Sequence, residues 1–164
     1  MITQTPYQGT IVTLWLEEID NLDYVVRHYG FKLAIELGTY KGGSALVMIN
    51  AGVDMLYTYD NRNVLEVNDE RMICRVADIF NPEVTEEIKR LCKSGEPKLL
   101  FCDGGSKKRE LNLFGPHLNT GDVLVAHDYP IEFKDADVAV MITGNGYERI
   151  SLPFDNRLIA WRKT

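Results

Sequence analysis

Five short apolar runs, spaced so that helix-length stretches fall between most of them, leave this chain few architectures. They are KLAIEL from Lys32, MLYTYD from Met55, MICRVADIF from Met72, KLLFCDGG from Lys98 and DVLVAHD from Asp122. Between them lie SALVMINAG, PEVTEEIKRLCKSG and KKRELNLFGPHL, which read as helices. Pro82 opens the second of these, acids fill its early turns, and Gly95 is its expected stop. Gly115 and Pro116 are expected to break the third early. Strands separated by helices pair in parallel, with crossover helices on both faces of one sheet. The tail differs. YERISLP and RLIAWRK are two strand-like runs separated by only Pro153 to Asn156, too short for a crossover, so they must run antiparallel.

The expected architecture is therefore α/β, in three layers, with a mostly parallel sheet and a C-terminal antiparallel strand pair. At 164 residues the chain is one domain, and no repeat or linker divides it. Residues 1–30 read as an N-terminal arm and helix, and residues 31–164 as the sheet core. The arm, with Pro6 and Gly9, is expected to be irregular over its first ten residues. From about Ile11 to Tyr29, Leu14, Trp15, Ile19, Leu22, Val25 and Val26 recur at three- and four-residue steps, an amphipathic helix closed by Gly30.

A net charge of −6 and no basic cluster beyond Lys107–Arg109 argue against a nucleic-acid partner. That short basic run reads as a solvated helix start. No apolar stretch approaches the roughly 18–20 residues of a membrane span. The three cysteines show no CxxC spacing, and Cys74 and Cys102 read as small buried hydrophobes. An odd count, with no signal peptide, points to a reducing cytoplasm.

In an open α/β sheet, ligands bind beyond the carboxyl ends of the strands. Here those ends carry Glu36, Asp60, Asp78, Asp103, and His127 with Asp128. Each acid alone would pass for a helix cap or a loop residue; the ordered set points to a site. The first strand runs into GTYKGGS, which is neither GxGxxG nor a phosphate loop. An acid directly before the turn would repel a pyrophosphate. Glu36 suits a ligand with a cationic group, and Gly38, Gly42 and Gly43 would let the backbone approach it. Asp60 is placed to accept two ribose hydroxyls, and Asp78 an exocyclic amine. A ligand with an amine, a ribose, an adenine-like base and no phosphate is S-adenosyl-L-methionine.

IELGTYKGGSAL, with the acid closing the next strand, FCDGG, VAHDY and the final antiparallel pair, resembles the class I S-adenosylmethionine-dependent methyltransferases. The closer likeness is to the branch of cephalosporin hydroxylase-like proteins and small-molecule O-methyltransferases, and it runs from Tyr7 to Lys163. The resemblance implies a Rossmann-like methyltransferase fold. It implies a cofactor site of Glu36, Gly38, Thr39, Ser44, Asp60 and Asp78, with Gly42, Gly43 and Asp103 alongside. It also implies a divalent metal such as Mg²⁺ on Asp103, Asp128 and the residue before Asp128, and transfer of a methyl group to a small-molecule oxygen. The chain departs from that pattern twice. His127 stands where a carboxylate is usual, which suits a softer ion than Mg²⁺. Gly105 and Ser106 stand where many relatives carry a histidine base. His127, beside Asp103, is then the candidate base or metal ligand.

Lys41 and Lys107 flank the expected pocket, and Tyr7, Tyr40 and Tyr129 fall in loops near it. Little chain is left for a substrate cap, so acceptor selection would draw on a homo-oligomer partner or on a macromolecular substrate. Two rival readings stand beside methyl transfer: a non-catalytic binding or regulatory module of the same fold, and a nicotinamide-dependent oxidoreductase. The glycine spacing and Glu36 argue against the latter.

Overall fold

A computed structural model describes residues 5–164 of the chain; the first four residues of the expected arm lie outside that range. In chain order the elements begin with β1 (Thr5–Tyr7), β2 (Thr10–Val12), α1 (Leu16–Tyr29), β3 (Leu33–Leu37), α2 (Gly43–Ala51), β4 (Met55–Asp60) and β5 (Met72–Val76). There follow α3 (Pro82–Cys92), β6 (Lys98–Cys102), α4 (Lys107–Phe114), a 3-10 turn at Gly115–His117, β7 (Val123–Ala126), α5 (Asp135–Gly144), β8 (Tyr147–Arg149) and β9 (Ile159–Lys163).

Seven strands form one sheet in the order β5-β4-β3-β6-β7-β9-β8. The first five in that order are parallel, and β9 runs antiparallel to both β7 and β8. Successive side chains alternate across the sheet. Ala34, Leu99, Phe101, Val123, Val125 and Ala160 enter one buried cluster with α1 and α2. Ile35, Leu37, Leu100, Cys102, Leu124, Ala126, Ile159 and Trp161 enter a second with α3, α4 and α5. Both faces of the central strands are thus covered, as parallel pairing requires. The three-layer reading holds.

Local chemistry sets the helix ends. The Glu18 carboxylate accepts the Trp15 N–H at 2.7 Å, fixing the start of α1, and Gly30 closes it in the left-handed region with φ +66°. Asn81 caps α3 by accepting the Glu83 N–H at 3.0 Å, with Pro82 in the first turn. That helix ends at Cys92, with Lys93 as its cap, before Gly95 is reached.

The N-terminal segment departs from expectation. Residues 5–12 form an antiparallel hairpin in place of an irregular arm, and the helix begins at Leu16, not Ile11. Gln8 and Gly9 both have positive φ, +46° and +87°, which is the two-residue turn that matches strand twist. The β-branched Ile11 and Val12 then extend, and Val12 packs over Gly43, where an added Cβ would lie 2.5 Å from its side chain. Two smaller corrections follow from sheet position. MICRV is an edge strand that ends at Val76, so Cys74 is only half-buried, while Cys92, on α3, is fully buried.

Candidate functional site

Strand order reverses between the parallel neighbours β3 and β6: β4 lies to one side of β3 and β6 to the other. At such a switch point the crossovers diverge and leave a crevice beyond the strand ends. Here the crevice is a cleft of about 1080 Å³, lined among others by Thr39, Tyr40, Asp60, Asp78, Asp103, His127 and Asp128. The sheet therefore brings together acids from four different strand ends.

The turn after β3 is shaped by contact as well as by φ. A Cβ on Gly38 (φ +104°) would lie 2.3 Å from the Asp103 carbonyl oxygen, so β3 and β6 meet backbone to backbone there. The Gly38 and Thr39 amides donate to the Tyr59 carbonyl (2.8 and 3.2 Å), the Tyr40 amide to Asp60 Oδ2 (2.7 Å), and the Gly42 amide to the Thr39 carbonyl (2.9 Å). With these four amides satisfied internally, the turn is no phosphate cradle. Asp60 also accepts the Arg62 amide on Oδ1 at 2.8 Å, with the Arg62 guanidinium 3.5 Å from the same oxygen, and Oδ2 keeps a second lone-pair direction beside the cleft. Tyr40 (φ +45°) and Asp128 (φ +61°) hold left-handed backbone at the cleft, the kind of local strain that clusters at functional sites.

Glu36 is placed differently from expectation. It lies fully buried beneath the cleft, its oxygens accepting the Ser44 and Thr58 hydroxyls at 2.5 Å each. Burial pushes its carboxyl up to about 8 and keeps it off the cleft wall. Thr39 extends the same chain through its hydroxyl contact with Thr58. Of the loop glycines, Gly43 faces the hairpin, and Gly42 backs onto Leu65 and Val67. Asp78 stands exposed on the rim, where it accepts the Phe80 amide at 2.9 Å. Tyr40 lines the cleft, Lys41 is paired with Glu66 (2.6 Å), Tyr7 packs against the core and Tyr129 bonds to Asp135.

The far wall is a charge cluster. Asp103, His127 and Asp128 each point one donor atom to within 4.8 Å of the others. His127 Nδ1 lies 3.0 Å from Asp103 Oδ1, and Nε2 lies 3.2 Å from Glu18 Oε2. Burial opposes a charge on the ring, but the hydrogen bonds to Asp103 and Glu18 and the nearby Asp128 outweigh it and raise its pKa to about 9. Facing two carboxylates, both ring nitrogens donate. No lone pair remains for a metal or an acceptor proton.

Three participants escaped the sequence reading. Glu18 lies in the Leu14-Glu18-Leu22 row of α1, and an acid in an apolar stripe is the signal that could have found it. Arg157 bridges Glu18 Oε1 (3.2 Å) and Asp128 Oδ1 (3.1 Å) from the loop before β9, with no local signal. Glu110, buried in α4, accepts the Gly104 and Ser106 amides at 3.2 and 3.0 Å and so holds the loop after β6; burial pushes its carboxyl up to about 7. Lys107 corrects a fourth reading. It is buried, not solvated, and its ammonium lies 3.0 Å from Asp128, 3.2 Å from Glu132 and 3.6 Å from Asp103. Of the expected metal ligands, Asp128 is thus paired with Lys107 and Arg157, and His127 with Asp103 and Glu18; among the described residues only Asp103 Oδ2 stays unengaged, and one carboxylate oxygen beside an ammonium does not fit a divalent ion.

No protein-family model and no curated protein matches the sequence. Solved structures do match. An apo structure titled CmcI-N160 superposes with TM-score 0.72 at 12% identity, covering 98% of this chain and 76% of its own. The SAH-bound methyltransferase PaMTH1 of Podospora anserina gives 0.65 at 14% identity, over 90% and 78%. The chain has the class I methyltransferase fold. The methyltransferase MycE of the mycinamycin pathway, in complex with Mg, SAH and mycinamycin VI, gives 0.59 at 17% identity. That match covers 86% of this chain and 48% of MycE, so the chain spans about half the MycE length. The acids on the cleft wall lie at or just past the carboxyl ends of β4, β5, β6 and β7, and Glu36 of β3 lies buried beneath them.

Proposed function

We propose that the chain is an S-adenosylmethionine-dependent methyltransferase acting on an oxygen of a small molecule. The observation that carries this reading is Asp60: a carboxylate at the end of β4, beside a glycine turn four of whose amides bond within the protein, on the wall of the switch-point cleft. That donor set fits a ribose without a phosphate. Thr39 and Tyr40 would flank the same end of the ligand. Asp78, with Ile79 and Phe80 on the cleft wall, would meet the base. Neighbours of this fold titled with SAH or Mg-SAM support the assignment.

When bound, the sulfonium supplies the methyl group for an in-line displacement, and catalysis is then chiefly alignment and exclusion of water. The His127 ring holds Asp103 in place and takes no proton. Among the described residues Asp103 Oδ2 has no hydrogen-bond partner in the protein, which leaves it to accept a proton from an acceptor hydroxyl. With Asp103 Oδ2 the one unengaged oxygen of that set among the described residues, no step here draws on a divalent ion. A single domain over residues 1–164 and a reducing cytoplasm go with this reading; all three thiols are free, and no helix of the described residues is long and apolar enough to cross a membrane.

Thermal shift and titration calorimetry test the assignment. S-adenosylmethionine and S-adenosylhomocysteine should each raise the melting temperature, and Asp60→Ala should weaken binding by about tenfold or more, the worth of a charge-assisted hydrogen bond. No shift with either ligand at millimolar concentration overturns it. One observation favours a second reading, a binding module without turnover: both His127 nitrogens are occupied. Cofactor binding with no S-adenosylhomocysteine product over a broad panel of hydroxylated acceptors would select that reading.

A further inference from the structure

We infer that the Lys107 ammonium is the resident cation of this site, taking the place of a divalent metal ion among Asp103, Asp128 and Glu132. Lys107 is the first residue of α4, where the helix dipole disfavours a positive charge, and its side chain is only 6% exposed, so desolvation disfavours it again. Nothing local favours an ammonium there. What offsets both penalties is its three carboxylate neighbours: Asp128, which accepts a hydrogen bond at 3.0 Å, and Glu132 and Asp103, ion-paired at 3.2 and 3.6 Å. Arg157 bonds the outer Asp128 oxygen, Oδ1, and His127 shares with Lys107 the Asp103 Oδ1.

A divalent ion bound to the same oxygens at about 2.1 Å would sit within a few ångström of the ammonium. Two like charges that close in a poorly solvated site repel too strongly to coexist. Ammonium and metal are therefore alternatives, and this chain carries the ammonium. A tethered cation needs no supply from solution and cannot be removed by a chelator. It holds the loop after β6 against the loop after β7, so the Asp103 carboxylate stays fixed at the cleft wall. The inference does not depend on the methyltransferase assignment, since the charges are set by the fold.

The experiment compares metal binding by the wild type, Lys107→Met and Lys107→Arg, all without S-adenosylmethionine. Readouts are the Mn²⁺ paramagnetic resonance signal and the melting temperature in millimolar Mg²⁺ or Mn²⁺. Wild type and Lys107→Arg should leave Mn²⁺ free and show no metal-dependent shift. Lys107→Met, which keeps the stem and removes the charge, should be less stable in chelator. It should then gain about 5 °C or more when metal stands at about a hundredfold its Kd. If Lys107→Met does not fold in chelator, recovery of folded protein on adding Mn²⁺ supports the inference, and failure to recover overturns it. Mn²⁺ bound by the wild type and lost in Asp128→Asn overturns it, as does a folded Lys107→Met that ignores metal. A missing response to S-adenosylmethionine would leave these outcomes unchanged.

Discussion

His127 sits among Glu18, Asp103 and Asp128, with Arg157 and Lys107 closing the ring of charges. Its folded pKa of about 9 lies above the ordinary 6.5. The unfolded chain then gives up this proton first as pH rises. The stabilisation is complete below pH 6.5 and is lost as pH climbs through 9, by at most about 1.4 kcal/mol per pH unit. Urea unfolding from pH 6 to 10 should show this fall in the wild type, and His127→Gln should remove that part of the slope. A parallel slope in the variant would mean the ring is neutral. Glu36 teaches the opposite lesson about acids. An acid at a strand end signals a site from sequence, yet its position on β3 turns it to the α2 face, where Ser44 and Thr58 seal it. Spacing places a carboxylate at the cleft; the alternation of side chains decides whether it enters.

Among the elements, β6 is the one most firmly anchored by charge. Lys98 begins it fully buried, its ammonium 2.8 Å from both Asp122 and the Ser94 carbonyl. Asp122 in turn accepts the Lys98 and Asn119 amides at 3.1 and 2.7 Å, pinning the entry to β7. Lys98→Met leaves a buried carboxylate without its cation and should cost about 3–5 kcal/mol. Chemical denaturation measures the loss, and Lys98→Met with Asp122→Asn should recover part of it. Lys98 heads KLLFC, and the run reads as a strand because its apolar core is continuous. That its first residue is a buried cation is invisible locally, since Asp122, just before β7, lies 24 positions away. The hairpin was missed for a related reason: Leu14 and Trp15 continue the helical period of α1, and a short Gln-Gly turn weighs little against it.

Across the molecule, two apolar layers on the sheet fix where the strand ends open, and the hairpin closes one side of the opening. Ile11 and Thr13 reach the cleft because Val12 seats on Gly43 at the start of α2. Gly43→Ala would push a Cβ to 2.5–2.7 Å from Val12 and the Ile11 carbonyl, mostly backbone that cannot yield cheaply. The variant should lose about 1–3 kcal/mol of stability. It should also weaken S-adenosylmethionine binding more than a distant mutation of equal cost, as paired unfolding and calorimetry would show.

The order of strands and helices, the reversed strand at the end and the row of acids beyond the strands could all be read from residue order. Hydrophobic period and strand spacing are short-range properties, and parallel connections allow few arrangements. Which charge neutralises which could not. Glu18 and His127 are 109 positions apart, and Glu18 and Arg157 are 139 apart. Coulomb energy depends on distance in space and on the water excluded between groups, and both exist only once the two apolar layers have packed.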